Sequence, residues 1–238
     1  MRYLLTLLVF AAAAGLYGES LPDWFVQLRE TVYEQNLTAD ETAPLFRAAE
    51  DRARAGLSGA ALYIMLSRCE YMMGRAFQYE ERKEEAAAHY TGGISWAEKA
   101  LEEAASAEAW QMLAENISQS CVVRPTAYAM ANGLKVERYA KNALSLNGRN
   151  AAAQYMIAAR WVFAPAPFHN YRRGIEMMTA ILTGGDMEKD DCFNVYSAIG
   201  YAYMQQKKYA EARSWFQKSL EVYPDNKYVQ GLLQSLKI

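Results

Sequence analysis

Two histidines and three cysteines in 238 residues leave little from which a metal site or an acid–base relay could be built. His89 and His169 stand far apart, and Cys69, Cys121 and Cys192 are widely spaced and odd in number. At least one thiol must stay free or pair with another chain, and none has the close spacing of zinc ligands. Structural thiols are expected. Also missing are GxGxxG and Walker-type runs, a GxSxG elbow, HExxH and CxxC. Phosphate cradles, serine nucleophiles and zinc hydrolysis therefore have no local support. The reading is a protein that is not an enzyme, with no cofactor and no metal. His89 is expected on an exposed helical face beside Tyr90, and His169 in a loop. The acidic pairs Glu80-Glu81 and Glu84-Glu85 lack the alternating oxygens of a calcium loop and read as a solvated helix face.

Basic surplus is absent as well. The formal net charge is −2, so nothing points to nucleic acid or to a polybasic membrane surface. Proline (6) and glycine (14) are sparse, and no alternating β-branched run appears. What is abundant is apolar and aromatic, at 52% and 13%, with alanine and tyrosine prominent. That composition suits one all-helical core. The first residues, MRYLLTLLVFAAAAGLYGES, combine a positive start at Arg2, a short apolar run from Tyr3 to Ala14 and small residues around a cut after Gly18. They read as a secretory signal at 1–18, preceding a single domain at 19–238. The apolar run is shorter than the roughly 20 residues that span a bilayer, so no stable membrane span is expected after its removal. The expected location is the periplasm or outside the cell.

The strongest pattern lies at 193–226. Tyr196, Ile199, Gly200 and Tyr203 recur three or four apart on one helical face. A polar Gln205-Gln206-Lys207-Lys208 turn follows, and Ala212, Phe216, Ser219 and Leu220 make a second face. Small residues alternate with large ones, so the two helices can nest. Pro224 cannot continue the second helix, and Asp225 is available to cap the next. This unit resembles the tetratricopeptide repeat, with Tyr196, Ile199, Gly200, Tyr203, Ala212, Phe216, Ser219 and Pro224 at its eight signature positions.

Weaker copies precede it. Ala100-Leu101, Ala143-Leu144, Ala180-Ile181 and Ser219-Leu220 mark second helices, while Gly74, Ala114, Ala158 and Gly200 mark first helices at similar steps. Predicted helix pairs cover Leu21–Gln35 with Asp40–Ala55, then Ser58–Glu80 with Lys83–Ala104. A third pair carries Trp110, Leu113, Ala114 and Ile117 and continues in Tyr128–Leu146. A fourth runs over Ala151–Phe163 and Tyr171–Leu182, around the stiff segment Pro165–Asn170. Residues 227–238 read as a capping helix burying Leu232, Leu233 and Leu236. The first pair is expected to cover the free end of the stack. The resemblance implies an all-α, right-handed α-solenoid of tetratricopeptide-like helix pairs, about eleven helices in all.

In proteins of this kind, first helices line a concave groove. The matching positions here include Tyr71, Arg75, Tyr79, Gln111, Glu115, Tyr155, Phe163, Asn194, Tyr201 and Gln205. They describe a groove with aromatic and amide walls and few fixed charges, suited to a peptide segment. Only Arg75 and Asn194 approach the pattern by which family members grip a terminal carboxylate. Function follows in two versions. One is an exported interaction module or scaffold holding a peptide or protein partner of a cell-envelope complex. The other is a periplasmic small-ligand protein, similar to transporter-associated helical-repeat subunits, with the Pro165–Asn170 loop closing a pocket.

Overall fold

The computed structural model describes residues 21–236, and the expected signal at 1–18 lies outside them. The described residues form eleven helices. They are α1 (Asp23–Glu34), α2 (Ala39–Gly56), α3 (Gly59–Tyr79), α4 (Lys83–Glu103), α5 (Ala107–Val123) and α6 (Thr126–Leu146). There follow α7 (Ala151–Phe163), α8 (Tyr171–Gly184), α9 (Lys189–Gln205), α10 (Tyr209–Val222) and α11 (Lys227–Ser235). None of them is long and apolar enough to cross a membrane.

Local chemistry sets the boundaries. Thr38 and Glu41 cap α2 reciprocally, and Ser106, Asn150, Asn170 and Asn226 each accept a hydrogen bond from a first-turn N–H of the helix that follows. Asn226, not Asp225, therefore starts α11. Asp225 instead donates its backbone N–H to Glu34 at 3.0 Å.

Two pairs share one turn geometry. After α3, Glu81 adopts φ 61° and the Arg82 N–H returns to the Phe77 carbonyl at 3.0 Å. After α9, Lys207 adopts φ 59° and the Lys208 N–H returns to the Tyr203 carbonyl at 3.0 Å. These helix ends satisfy their last carbonyls in the same way. The packing inside each pair also corresponds. A Cβ placed on Gly74 would lie 2.5 Å from Tyr90, and one on Gly200 would lie 2.6 Å from Phe216. Each glycine is thus the seat of a large ring from the second helix. Gly93, in the middle of α4, is likewise filled against, here by Asn116 of α5. Asn116 donates to Ser67, which donates to the Gly93 carbonyl, in a buried polar cluster joining α3, α4 and α5.

Neighbouring helices pack in sequence, and α1, α3, α5, α7 and α9 also contact one another in succession. The result is an α-solenoid with α1, α3, α5, α7 and α9 inside. Its ends are not free. Tyr33 of α1 stacks on Tyr223 at 4.8 Å and meets Phe193 edge-on at 5.4 Å. Asn226 donates to the Tyr33 carbonyl at 2.6 Å, and the Lys227 N–H donates to Gln35 at 2.9 Å. Residues more than 150 positions apart are thereby joined, and the solenoid closes into a ring. The first pair is not the cover of an open end, as the sequence suggests. Its inner helix meets the C-terminal helices because five inner helices complete the turn.

Candidate functional site

Closure of the ring gathers inward-facing side chains from α1, α3, α5 and α9 around a common centre. Arg29 reaches from α1 to Glu188 at 3.2 Å and Asp190 at 3.1 Å. Arg68 reaches from α3 to the same Glu188 at 3.3 Å. Lys189 pairs with Glu30, fastening the start of α9 to α1. Gln111 donates to Glu115 at 3.4 Å and accepts from Asn150 at 2.8 Å. Arg29, Arg68, Gln111, Glu115, Glu188 and Asp190, with Phe25, Tyr71, Met72, Met112 and Asp191, border a space of about 10 Å³. That is room for about one water. Burial, together with the neighbouring Asp190 and Glu188 charges, pushes the Glu115 carboxyl up to about 7 against the pull of Arg68. Burial raises Asp191 and Asp190 as well, each also repelled by Glu188.

The expected groove with few fixed charges is therefore corrected. At this level the ring holds two arginines and four carboxyl groups. Arg29, Glu188 and Asp190 lie outside the signature positions of the repeat, and only closure of the ring brings them inside. Arg68 carried a signal that was readable. It stands six residues before Gly74, as Asn194 stands six before Gly200.

A second layer, nearer the C-terminal ends of α3, α7 and α9, is aromatic. Arg75 lies over the Tyr33 ring at 5.6 Å and the Tyr79 ring at 4.8 Å, and it donates to the Tyr79 hydroxyl at 2.5 Å. Among the described residues no carboxylate pairs with it, and its Nε has no partner. Tyr79 faces Tyr228 of α11 at 6.5 Å, and Tyr201 faces Phe163 at 5.2 Å. Tyr155 lies within electrostatic reach of Arg75, Tyr79 and Tyr228, and burial raises its phenol well above the usual range. Burial raises Tyr228 and Tyr201 also, each with a smaller contribution from other tyrosines.

The ten groove positions therefore divide. Arg75, Tyr79 and Tyr155 come together, as do Phe163 and Tyr201, with Tyr228 completing the cradle. The leucine spacing of α11 gives no sign of Tyr228. Gln205 is exposed at the end of α9. Tyr71 and Gln111 are only 5% and 8% exposed, so they offer little surface to a ligand. Glu115 belongs to the charged layer. Asn194 donates to the Tyr33 hydroxyl at 3.1 Å and helps to hold the ring closed.

The histidines contribute to neither layer. His89 is not on an exposed face. It lies stacked on Phe77 at 5.3 Å, with Phe46 edge-on at 5.4 Å, and its Nδ1 is 2.7 Å from Glu70. His169 stacks on Tyr171 at 4.4 Å in the loop before α8. The three cysteines are free thiols. Among the described residues no three His, Cys, Asp or Glu side chains are placed to hold a metal ion.

Comparison with known proteins bears on the family. The tetratricopeptide repeat family model matches residues 193–226. No curated protein matches the chain. Among solved structures, the chain is similar to YrrB, described as a TPR protein with an unusual peptide-binding site. The two are 15% identical, and the likeness spans 88% of this chain and 97% of that one at a TM-score of 0.40. Residues 193–226 match the tetratricopeptide repeat, and the described residues of the chain that carries them form a solenoid of consecutive helix pairs.

Proposed function

We propose that the chain is an exported protein-interaction module that holds a carboxylate-bearing peptide segment against the aromatic layer of its ring. The observation that supports this reading is Arg75. A guanidinium set among tyrosine rings, with no carboxylate partner among the described residues, is a cation prepared for an incoming anion. Tyr79, Tyr228, Tyr155, Tyr201 and Phe163 would supply contact area at small entropic cost. The carboxylate would fix orientation, and the rings would take the adjoining side chains. Export rests on residues 1–18 alone and belongs to the proposal. Its check is the N-terminus of the protein recovered from its own cells, expected at Glu19.

Binding is tested with fluorescent peptides ending in a free carboxylate or in an amide. The free acids should bind more tightly, and Arg75→Gln should erase the difference, at a cost of about 2–5 kcal/mol. Tyr201→Ala should weaken binding by a larger factor than the loss of stability accounts for, read by comparing affinity with the melting temperature. Equal affinity of acid and amide for the unaltered protein would sink the reading. The small-ligand alternative finds no support in the enclosed space at the ring centre. It is the size of a water, and no residue of the 165–170 loop borders it.

A further inference from the structure

The face of α6 that meets α7 is covered over only half its length. In the second half, Glu137 pairs with Arg160 of α7, which fixes the relative position of the two helices. They run in opposite directions, so Phe163, the last residue of α7, is level with Leu134 on α6. Beyond that point α7 has ended. Ala127, Met130, Ala131 and Leu134 continue the same helical face, exposed among the described residues. Met130 is 81% exposed and Leu134 75% exposed. Val122, in the last turn of α5, and Phe168, in the loop after α7, are exposed at the same end.

Charge distinguishes this region from the rest of the molecule. Residues 122–142 and 160–176 contain seven Lys and Arg against two Asp and Glu, in a chain whose totals are 25 and 27. Both acids are already taken, Glu137 by Arg160 and Lys141, and Glu176 by Arg172. Lys135 and Arg138, beside the apolar strip, are held by Asn132 and Tyr139 and pair with no carboxylate among the described residues. Arg173 lies over Trp161 and is likewise without an acid.

We infer that the first half of α6 is a second docking surface, separate from the ring interior, and that its partner is an amphipathic helix with acidic flanks. The apolar strip supplies the seat. Alanines at 127 and 131 leave grooves between Met130 and Leu134, the relief that lets another helix approach closely. The unpaired cations select the charge of the flanks and make the contact sensitive to salt.

The test uses two fluorescent helical peptides with leucines at the same spacing, one flanked by glutamates and one by lysines. The glutamate peptide should bind, the lysine peptide should bind at least ~10-fold more weakly, and added salt should reduce the difference. Met130→Glu with Leu134→Glu should abolish binding while the melting temperature holds, because both side chains are solvent-facing. Arg75→Gln should leave this binding intact, which separates it from the peptide site in the ring. Equal binding of the two peptides, binding of neither, or survival of binding in the double variant would overturn the inference. So would self-association, or attachment to phosphatidylglycerol vesicles, that the double variant removes and the glutamate peptide does not compete.

Discussion

Glu115 shows how closure of the ring acts on a single ionisable group. Its pKa rises from 4.5 to about 7 because burial comes first: Arg68 and Gln111 more than offset the repulsion from Asp190 and Glu188, but they do not offset burial. The folded state therefore holds a proton that the unfolded chain has lost between those values. Stability is fully present below 4.5 and is lost as pH rises through about 7. Raised values at Asp190 and Asp191 act in the same direction. At ~1.4 kcal/mol per unit the effect of Glu115 amounts to at most about 3–4 kcal/mol. Glu115→Gln should raise the melting temperature above pH 7 and leave it nearly unchanged near pH 4.5. Arg68 keeps Glu188 as its partner in that variant, so no orphaned cation confuses the result. A loss of stability at high pH would show that Glu115 is needed as an anion.

At the scale of the helix pair, the glycines divide into seats and bystanders. Gly74 and Gly200 are filled by Tyr90 and Phe216, whereas a Cβ on Gly133 in α6 would meet nothing within 4 Å. Gly200→Leu should therefore overpack the pair and cost about 1–3 kcal/mol. Gly133→Ala should do the reverse and stabilise by about 0.5–1 kcal/mol, because it only restricts the unfolded backbone. Thermal melts of the two variants would test both directions together. An unchanged melting temperature for Gly200→Leu would mean that the ring of Phe216 is free to move, contrary to its complete burial.

For the whole molecule, the decisive contact joins the two ends. Tyr33 is fully buried and touches Tyr223, Phe193, Asn194 and Asn226, all from the C-terminal third. Tyr33→Ala should cost about 3–5 kcal/mol. The loss should not stay local. Hydrogen exchange is expected to speed up in α1 and in α9 to α11 together, and the radius of gyration to increase as the ring opens. Exchange confined to α1 would instead describe a helix docked on a stack that is stable without it. Closure also sets the geometry of the proposed site, since Arg75 rests on Tyr33 and Tyr228 arrives on α11.

The sequence by itself determined the helices, their pairing and the repeat at 193–226. Those features arise from neighbours within about forty residues, where apolar spacing, capping side chains and breakers such as Pro125 and Pro224 act directly. It also offered Arg75, Tyr79, Tyr155, Phe163 and Tyr201 as groove positions, because the position of a residue on a repeat sets the side it presents, and in the structure Arg75 meets Tyr79 and Phe163 meets Tyr201. Only the tertiary structure decided that the ends meet, since ring closure accumulates from small rotations at each helix interface and no single residue encodes it. The charged layer follows from closure: Arg29 and Glu188 are 159 positions apart and become partners only in the ring. The exposure of Met130 and Leu134 depends on the same level of structure. Their spacing is that of a buried face, and it is the early end of α7 that leaves them uncovered.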